Sequence, residues 1–234
     1  MAPDDSVYPE ISVPDSGSDV TTKKTTPVQR KPNMQRARLE ARIISEAEKA
    51  FARTGYSGTP MEAIAEAVGI SKQNLIYYFP NKETLYRRVL RKTLDMWLEK
   101  MAFTEQPDAS PTDIISHYIR GKLELSYDNP DGSRVFAHEI INGAPVLKDY
   151  LISHLKPQFE RDIVLVKKWS ADGLIRDINP EHLFFTIWAA TQTYADFATQ
   201  IQLLLGRKKL QRKDFDEAAH FLTDMVLHGI VANQ

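Results

Sequence analysis

The chain has 234 residues, 42% of them hydrophobic, with a formal net charge of −1 and no cysteine. This length allows one large hydrophobic core or a small and a larger one, and the missing cysteine excludes disulfides, thiolate nucleophiles and cysteine-based metal sites. No apolar run approaches the about 20 residues of a membrane span, and the N-terminal sequence lacks the basic and apolar regions of a secretory signal. We therefore expect a cytoplasmic protein without membrane association.

The charge is unevenly distributed along the chain. Residues 1–22 carry five acidic and no basic side chains, residues 23–92 carry 15 basic and 6 acidic ones, and residues 93–234 carry 15 basic and 20 acidic ones. A basic block ahead of an acidic body is typical of a polyanion-binding module on a carrier, although a solvated charged surface gives the same pattern.

The N-terminal segment, which we place at residues 1–32, is rich in Pro, Ser, Thr and Asp. It has too few large apolar residues to form a core, so we expect a disordered tail. Its second part is basic, with Lys23, Lys24, Arg30 and Lys31, and Arg36 and Arg38 follow. Such an arm can reach DNA phosphates or the minor groove. The sequence favours this role and that of a merely solubilising tail equally.

The first predicted helix covers residues 34–53. Apolar residues within 43–51 recur at three- and four-residue spacing and therefore share one face. Gly55 follows as the stop. Arg36 and Arg38 lie off the apolar face, where they are available to a polyanion.

The second predicted helix, at about 60–67, begins with a capping-box pattern. Thr59 is placed to accept a hydrogen bond from the third amide of the helix, and the Glu62 carboxylate is placed to accept one from the backbone N–H of Thr59. Pro60 fits the first helical position, where its missing N–H costs nothing.

A third helix at 72–78 completes the spacing of a helix-turn-helix. Gly69 allows the tight turn and Ser71 caps the helix. The third helix then presents polar side chains that can hydrogen-bond to base edges and phosphates. The residues predicted to contact DNA are Arg36, Arg38, Thr59, Ser71, Lys72, Gln73, Asn74, Tyr77, Tyr78 and Lys82. A small three-helix bundle without a DNA role is the alternative reading.

Residues 47–89 resemble the DNA-binding domain of the TetR family. The resemblance is carried by Ala47, Phe51, Gly55, Tyr56, Thr59, Ile64, Ala65, Ala67, Gly69, Ser71, Leu75, Tyr77, Tyr78, Phe79, Lys82, Glu83, Leu85 and Val89. Gln73 stands where the family often has glycine, and Ile76 stands where an aromatic residue is frequent. Because Gln73 lies in the predicted recognition helix, the resemblance implies no particular operator sequence.

Further along the chain, the segments 143–147, 178–183 and 187–198 resemble the RutR-like regulators of pyrimidine utilisation within this family. The resemblance implies an effector such as uracil or thymine. It also implies a helix-turn-helix domain at 33–80 and a ligand-binding and dimerisation domain at 81–234.

Helical periodicity continues through the second domain, which predicts an all-α protein of about nine helices. Proline at a first helical position and boundaries at glycine or Asn-Pro set the helix ends. After the fourth helix at 82–101, which Asn81 caps, the predicted helices cover residues 111–127, 131–141, 145–171, 181–204 and 214–230.

The helix at 181–204 is the best candidate for a ligand wall. Trp188, Gln192 and Asp196 follow one another at four-residue spacing and share a face. An indole and an amide would suit a planar base, because the ring can stack and the amide supplies a donor and an acceptor. Core packing is the alternative. The predicted ligand-binding residues are Trp188, Gln192, Tyr194, Phe136 and Arg134.

The last helix carries an apolar stripe that, together with the helix at 181–204, is expected to form a four-helix homodimer interface. A cap within one chain is the alternative. A dimer would place two recognition helices about 34–36 Å apart, matching a pseudo-palindromic double-stranded DNA operator. Such a protein would associate with the nucleoid while bound to its operator.

An enzyme is not expected. The six histidines have no metal-ligand spacing, and no phosphate-binding glycine loop or nucleophile elbow occurs. We predict no catalytic residue, no metal site and no cofactor. The predicted function is a small-molecule-responsive transcriptional regulator, and in keeping with the resemblance we expect a repressor. Two alternatives are a TetR-type regulator of efflux or lipid genes with a larger apolar ligand and a non-specific DNA-binding structural protein.

Overall fold

The computed structural model describes residues 31–101 and 109–231, and all regular secondary structure within these ranges is helical. The predicted tail at 1–32 lies almost wholly outside these ranges, as do its basic residues Lys23, Lys24 and Arg30. The helices are α1 (Lys31–Gly58), α2 (Met61–Val68), α3 (Lys72–Tyr78), α4 (Lys82–Met101), α5 (Pro111–Asp128), α6 (Pro130–Ile141), α7 (Lys148–Tyr150), a π-helical turn (Leu151–Leu155), α8 (Lys156–Ala171), α9 (Pro180–Asp196), α10 (Ala198–Leu204) and α11 (Arg212–Ile230).

The first three helices pack around one small core. α1 contributes Ile43 and Phe51, α2 contributes Ile64, and α3 contributes Leu75, all fully or almost fully buried. α1 is longer than the predicted 34–53, but its regular part ends where predicted, because Gly55 takes a left-handed φ of 72°.

The turn between α2 and α3 has the geometry that the sequence predicts. Gly69 closes α2 with φ 75° and ψ 38°, a conformation that side chains with a Cβ disfavour. The Oγ of Ser71 accepts a hydrogen bond from the backbone N–H of Asn74 at 3.1 Å and caps α3. The two short helices thus form a helix-turn-helix.

The predicted capping box at the start of α2 is wrong. The N-cap position is Pro60, which makes no side-chain cap bond, and Thr59 lies one residue earlier. The hydroxyl of Thr59 instead donates to the carbonyl oxygen of Gly55 at 2.7 Å. The irregular end of α1 leaves that carbonyl in need of a donor, so the hydroxyl serves α1 and not α2.

The fourth helix joins the N-terminal helices to the rest of the molecule. α4 packs against α1 on one side and against α5 and α6 on the other. Its buried residues include Tyr86, whose ring centroid lies 5.0 Å from that of Phe51 and 4.8 Å from that of Tyr56. α6 also packs against α1 and α9, so it contacts both halves of the chain.

The C-terminal helices form a bundle in which α5 is central, packed against α9 and α11. The helix predicted at 181–204 is in fact two helices, because Phe197 has φ −112° and ψ 25° and interrupts α9 before α10 begins. The helix predicted at 145–171 begins at Lys148 and contains the π-helical turn Leu151–Leu155. Ala144, which precedes it, has a positive φ of 55°.

Candidate nucleic-acid interface and ligand cavity

The exposed start of α3 is the candidate base-reading surface. Lys72, Gln73 and Asn74 are all exposed, whereas Leu75 is fully buried and fixes the helix on the core. Tyr77 is 69% exposed one turn further on. The structure therefore brings these predicted contacts to one surface. We call Lys72, Gln73, Asn74 and Tyr77 the recognition surface.

Arg36 and Arg38 are both exposed on α1, and Arg36 lies beside this surface. The guanidinium of Arg36 lies 5.7 Å from the ring centroid of Tyr77 and 5.9 Å from that of Tyr78. This cation–π contact joins the first helix to the end of α3 and adds positive charge next to the recognition surface.

Two lysines of the predicted DNA-contact set are engaged within the protein. Lys72 forms an ion pair with Glu62 at 2.5 Å, and its hydrogen bond lowers the pKa of the Glu62 carboxyl. Lys82 donates to the carbonyl oxygen of Tyr56 at 2.8 Å, with its ammonium 4.6 Å from the centre of the Tyr56 ring. Lys82 thus ties the start of α4 to the end of α1.

Thr59 does not belong to the exposed contact set. It is 1% exposed, and its hydroxyl is hydrogen-bonded to the end of α1. The side chain is therefore not part of the exposed surface, and its hydroxyl holds the connection between α1 and α2. A DNA contact at Thr59 stays a prediction.

A cavity of about 890 Å³ lies among α4, α5, α6, the π-helical turn, α8 and α9. Of the predicted ligand residues, Trp188, Gln192, Phe136 and Arg134 line it. Tyr194 is not among the lining residues. It lies two positions from Gln192, on another side of α9, and its ring packs 5.7 Å from that of Phe215 on α11. The structure thus places Tyr194 outside this cavity, and its ligand contact stays a prediction.

Four polar lining residues meet at one end of the cavity, which we call the polar corner: Lys122, Arg134, Gln192 and Asp196. The ammonium of Lys122 donates to Oε1 of Gln192 at 3.4 Å, and the hydroxyl of Ser133 donates to Asp196 at 2.6 Å. Arg134 also pairs with Asp131, while its buried Nε has no hydrogen-bond partner among the described residues.

Burial shifts the protonation of the polar corner. Lys122 is 2% exposed, and burial lowers its pKa to about 7, against a smaller opposing effect of Asp196. Burial also raises the pKa of Asp196, which the hydrogen bond from Ser133 and the charge of Lys122 partly offset. The corner thus places two basic groups, Lys122 and Arg134, and the carboxyl of Asp196 together in the interior, a costly arrangement that is typical of functional sites.

Aromatic rings form the walls next to the polar corner. The Lys122 ammonium lies 4.5 Å from the centre of the Trp97 ring, and Trp97 contacts Phe136 at 4.6 Å. On α9, the indole N–H of Trp188 donates to the Tyr118 hydroxyl at 2.5 Å, so its position is fixed. The indole can offer a ring face to a ligand, but its N–H is already engaged.

Two further lining residues, Lys122 and Trp97, are not among the predicted ligand residues. A signal for Lys122 was present, because it follows Ile115, Tyr118 and Ile119 at the three- and four-residue spacing of the buried face of α5. A lysine at a core position is rarely fully buried without a partner. The position of Lys122 on the buried face could therefore have identified it as a candidate ligand residue. Trp97 showed nothing beyond ordinary core periodicity.

A buried polar contact links the cavity wall to the N-terminal core. Glu139 on α6 accepts hydrogen bonds from the backbone N–H groups of Val146 and Leu147 at 2.6 and 2.9 Å. It also faces the hydroxyl of Tyr86 on α4, and burial together with this carboxylate raises the pKa of Tyr86. Through Tyr86 the contact reaches the aromatic cluster at the end of α1.

None of the helices in the described part of the chain is both long and apolar enough to cross a membrane. Across residues 31–101 and 109–231, no group of three or more histidine, aspartate or glutamate side chains is arranged to hold a metal ion.

Two family models cover most of the chain. The model described as bacterial regulatory proteins, tetR family, matches residues 43–89, and the one described as YcdC-like protein, C-terminal region, matches residues 90–233. The chain is also 43% identical over 189 residues to the HTH-type transcriptional regulator RutR of Escherichia coli K12, covering 80% of this chain and 88% of that protein.

Solved structures show the same fold. The ketosteroid transcriptional regulator KstR2 of Mycobacterium tuberculosis aligns with a TM-score of 0.67 and 18% identity over 83% of this chain and 95% of that one. AibR, solved with isovaleryl coenzyme A and operator DNA, aligns with a TM-score of 0.65 and 19% identity over 80% and 97%. At such identity these structures establish the fold alone.

Proposed function

Because this chain belongs to the TetR family of bacterial regulatory proteins, we propose that it represses transcription from a pseudo-palindromic operator and is released by a pyrimidine base such as uracil or thymine. The observation that carries the ligand part is the polar corner, in which buried donors and an acceptor meet between aromatic walls. The DNA part rests on the family and on the exposed recognition surface.

The recognition surface suits readout in the major groove. Gln73 and Asn74 can bond bidentately to adenine, and Lys72 can reach guanine or a phosphate once it leaves Glu62. Arg36, Arg38 and the tyrosines would fix the helix against the phosphate backbone. We assign Lys82 an indirect role, because its ammonium already binds the Tyr56 carbonyl.

The polar corner suits the edge of a pyrimidine-dione. Such a ring presents N–H donors and carbonyl acceptors in one plane, and the corner offers the Lys122 ammonium, the Arg134 Nε–H and the Gln192 amide as donors, with the Asp196 carboxylate as acceptor. Trp97 and Trp188 would flank the ring. The resemblance to regulators of pyrimidine utilisation favours this ligand class.

A homodimer through α9 and α11 is part of this proposal. Phe221 and Met225 on α11 are exposed and apolar, which fits a surface that a second copy covers. Most of the apolar stripe expected at that interface instead faces the protein's own core, since Phe215, Ala218, Ala219 and Leu222 are buried in the single chain. The interface would therefore be narrower than the sequence pattern indicates.

The proposed release mechanism passes through α6. A base in the polar corner would contact Arg134 on α6, and the Glu139–Tyr86 contact on the same helix would pass a shift to α4 and α1. Repositioning these helices changes the distance between the two recognition helices of a dimer. The ligand can shift this equilibrium only by its differential affinity for the two states.

A second candidate is a regulator with a larger apolar effector. The observation favouring it is the volume of the cavity, about 890 Å³, near the upper end of the roughly 300–1,000 Å³ found for sites of drug-sized ligands. Under this candidate the DNA-binding role is unchanged and only the effector differs.

The proposal is tested by thermal-shift measurements on the full chain with uracil, thymine, cytosine and a set of amphipathic drugs. A ligand at 100 times its dissociation constant should stabilise the native state by about 2.7 kcal/mol. Uracil or thymine should raise the melting temperature, and Gln192→Ala and Trp188→Ala should reduce that shift.

The matched control is Gln200→Ala, an exposed glutamine of α10 outside the cavity, which should retain the full shift. A shift with apolar drugs alone would overturn the pyrimidine assignment in favour of the second candidate. Equal shifts in all three variants would show that the base binds elsewhere.

A further inference from the structure

We infer that the cavity is bipartite: outside the polar corner it has an apolar chamber that binds a carbon chain or ring attached to the base. The chamber is formed by Ile140, Ile141, Ile152, Leu155, Phe159 and Phe185. Its ligands are pyrimidine-diones that carry an alkyl or aryl substituent. The inference rests on the proposed function for the base end and adds a second subsite to it.

The first support is the change of chemistry along α9. Asp196 and Gln192 line the cavity at the polar corner, Trp188 follows one turn earlier, and Phe185 lines it at the other end. Asp196 lies eleven positions after Phe185, which corresponds to about 16 Å along a helix. One helix face therefore passes from charged to apolar over a distance longer than a single base.

The second support is the same change along α6. Arg134 lies at the polar corner, while Ile140 and Ile141 line the cavity about 10 Å further along the helix. Ser133, next to Arg134, bonds to Asp196, so the polar ends of α6 and α9 meet. Ile140 and Ile141 of α6 and Phe185 of α9 thus lie away from the corner.

The third wall is apolar as well. The π-helical turn contributes Ile152 and Leu155, and Phe159 follows on α8 with its ring stacked on Phe185 at 5.6 Å. The cation in this wall is Lys156, which is exposed and pairs with Glu160 at 3.7 Å. This wall of the chamber therefore offers a hydrocarbon surface, and its charged residue, Lys156, lies at the solvent-exposed edge.

The volume of the cavity and the exposure of its apolar side chains favour a ligand with a substituent that fills the chamber. The cavity is large enough for a drug-sized ligand, and a free base would occupy only part of it. Ile141 is 78% exposed and Ile152 is 54% exposed at its edge. A substituent on a base held at the polar corner would remove this apolar surface from water, which is favourable.

The test is calorimetric titration of the full chain with uracil and with two series of alkyl uracils, substituted at carbon 5 or at carbon 6, from methyl to butyl. In at least one series the affinity should rise about fourfold per added methylene, the value expected when each group is buried. Decanoate serves as the control ligand that has an alkyl chain but no pyrimidine ring, and it should bind less tightly than the butyl compound.

Substitutions in the cavity wall test where the alkyl substituent binds. Ile152→Ser should reduce the gain in affinity per methylene, measured as the ratio of butyl compound to uracil within each variant. Val164→Ser is the matched control, because Val164 is an exposed apolar residue of α8 outside the cavity, and it should retain the gain. Equal gains in affinity per methylene in both variants would overturn the assignment of this chamber as the binding site of the substituent.

The outcomes separate the chamber from the base site. If uracil binds and neither series gains affinity, the chamber is overturned while the proposed function stands. If uracil does not bind but the butyl compound does, with a gain that Ile152→Ser removes, the chamber stands and the free base is not the effector. If neither binds, or if decanoate binds as well as the butyl compound, the bipartite assignment is overturned.

Discussion

The recognition surface and the polar corner are built in opposite ways. The recognition surface comes from one short segment, held by a cap bond between Ser71 and Asn74, three residues apart, and by one buried anchor, Leu75. The polar corner is assembled from α5, α6 and α9, and its hydrogen bonds join residues 63 and 70 positions apart. Local chemistry determines the first, whereas the packing of distant helices determines the second.

This difference has a functional consequence. The recognition surface consists of exposed side chains whose replacement leaves the core intact, while the polar corner places charges in the interior at a cost to stability. Changes at the first should affect DNA binding alone. Changes at the second should affect stability and ligand response together.

The largest expected effect comes from Lys122→Met. Burial lowers the pKa of Lys122 from 10.5 to about 7, so the folded state binds fewer protons than the unfolded state between these values. Wild-type stability should therefore rise as pH increases from about 7 toward 10.5. The variant should lack this rise and be more stable at pH 7 by on the order of 1–4 kcal/mol.

Urea unfolding at pH 7 and pH 9 measures this effect. Lys208→Met, at an exposed position outside the cavity, is the control and should keep the wild-type difference between the two pH values. A Lys122→Met protein that is less stable than the wild type at pH 7 would contradict the description of the corner as a costly site. The variant should also lose its response to uracil while still binding DNA.

The next largest effect is expected for Asn74→Ala at the recognition surface. The cap bond uses the backbone N–H of Asn74, so the substitution leaves α3 intact and removes only the proposed base contact. Operator affinity should fall by about 1–3 kcal/mol, roughly 5- to 150-fold, without a change in melting temperature. Fluorescence anisotropy with Gln200→Ala as control measures it, and unchanged affinity would remove Asn74 from the base-reading set.

A smaller effect is expected for Ser71→Ala, which removes the cap of α3. Loss of such a cap costs about 1 kcal/mol, and the melting temperature should decrease accordingly. Ser71→Asn, which retains an acceptor oxygen, should restore most of the stability. A decrease in melting temperature of equal size in both variants would mean that the cap bond contributes little. The position of α3 would then depend on the burial of Leu75 alone.

The smallest effect is expected for Tyr86→Phe, at the link between the two regions. The substitution removes the hydroxyl that faces Glu139 and keeps the ring in the aromatic cluster. Affinities for DNA and for ligand should each change little, while the coupling between them should weaken by at least about 0.5 kcal/mol. Operator titrations with and without saturating ligand measure the coupling, and an unchanged ratio would exclude this contact as a route.

The same contrast explains what the sequence could predict. The helix-turn-helix followed from Gly69 and Ser71, because turn and cap chemistry act over a few residues. The shared face of Trp188, Gln192 and Asp196 followed from helical periodicity and was found at the cavity.

Other features depended on contacts between distant residues. Thr59 fits a capping box by sequence, but its hydroxyl bonds to Gly55 because α1 ends irregularly there. Tyr194 lies outside the cavity, which the sequence did not reveal because periodicity gives the angle between side chains but not which face of α9 meets α11. Lys122 joins the corner through residues about 70 positions away, which a local pattern does not reveal.

The most direct test of the account is the operator affinity of the full chain, measured by fluorescence anisotropy over a range of uracil concentrations. The operator would first be selected from random DNA in the absence of ligand. We predict one preferred pseudo-palindromic site and a decrease in affinity of about 5- to 150-fold at saturating uracil, with no decrease in Lys122→Met. An affinity that does not change with uracil in the wild type would contradict the claim that the polar corner controls the recognition surface.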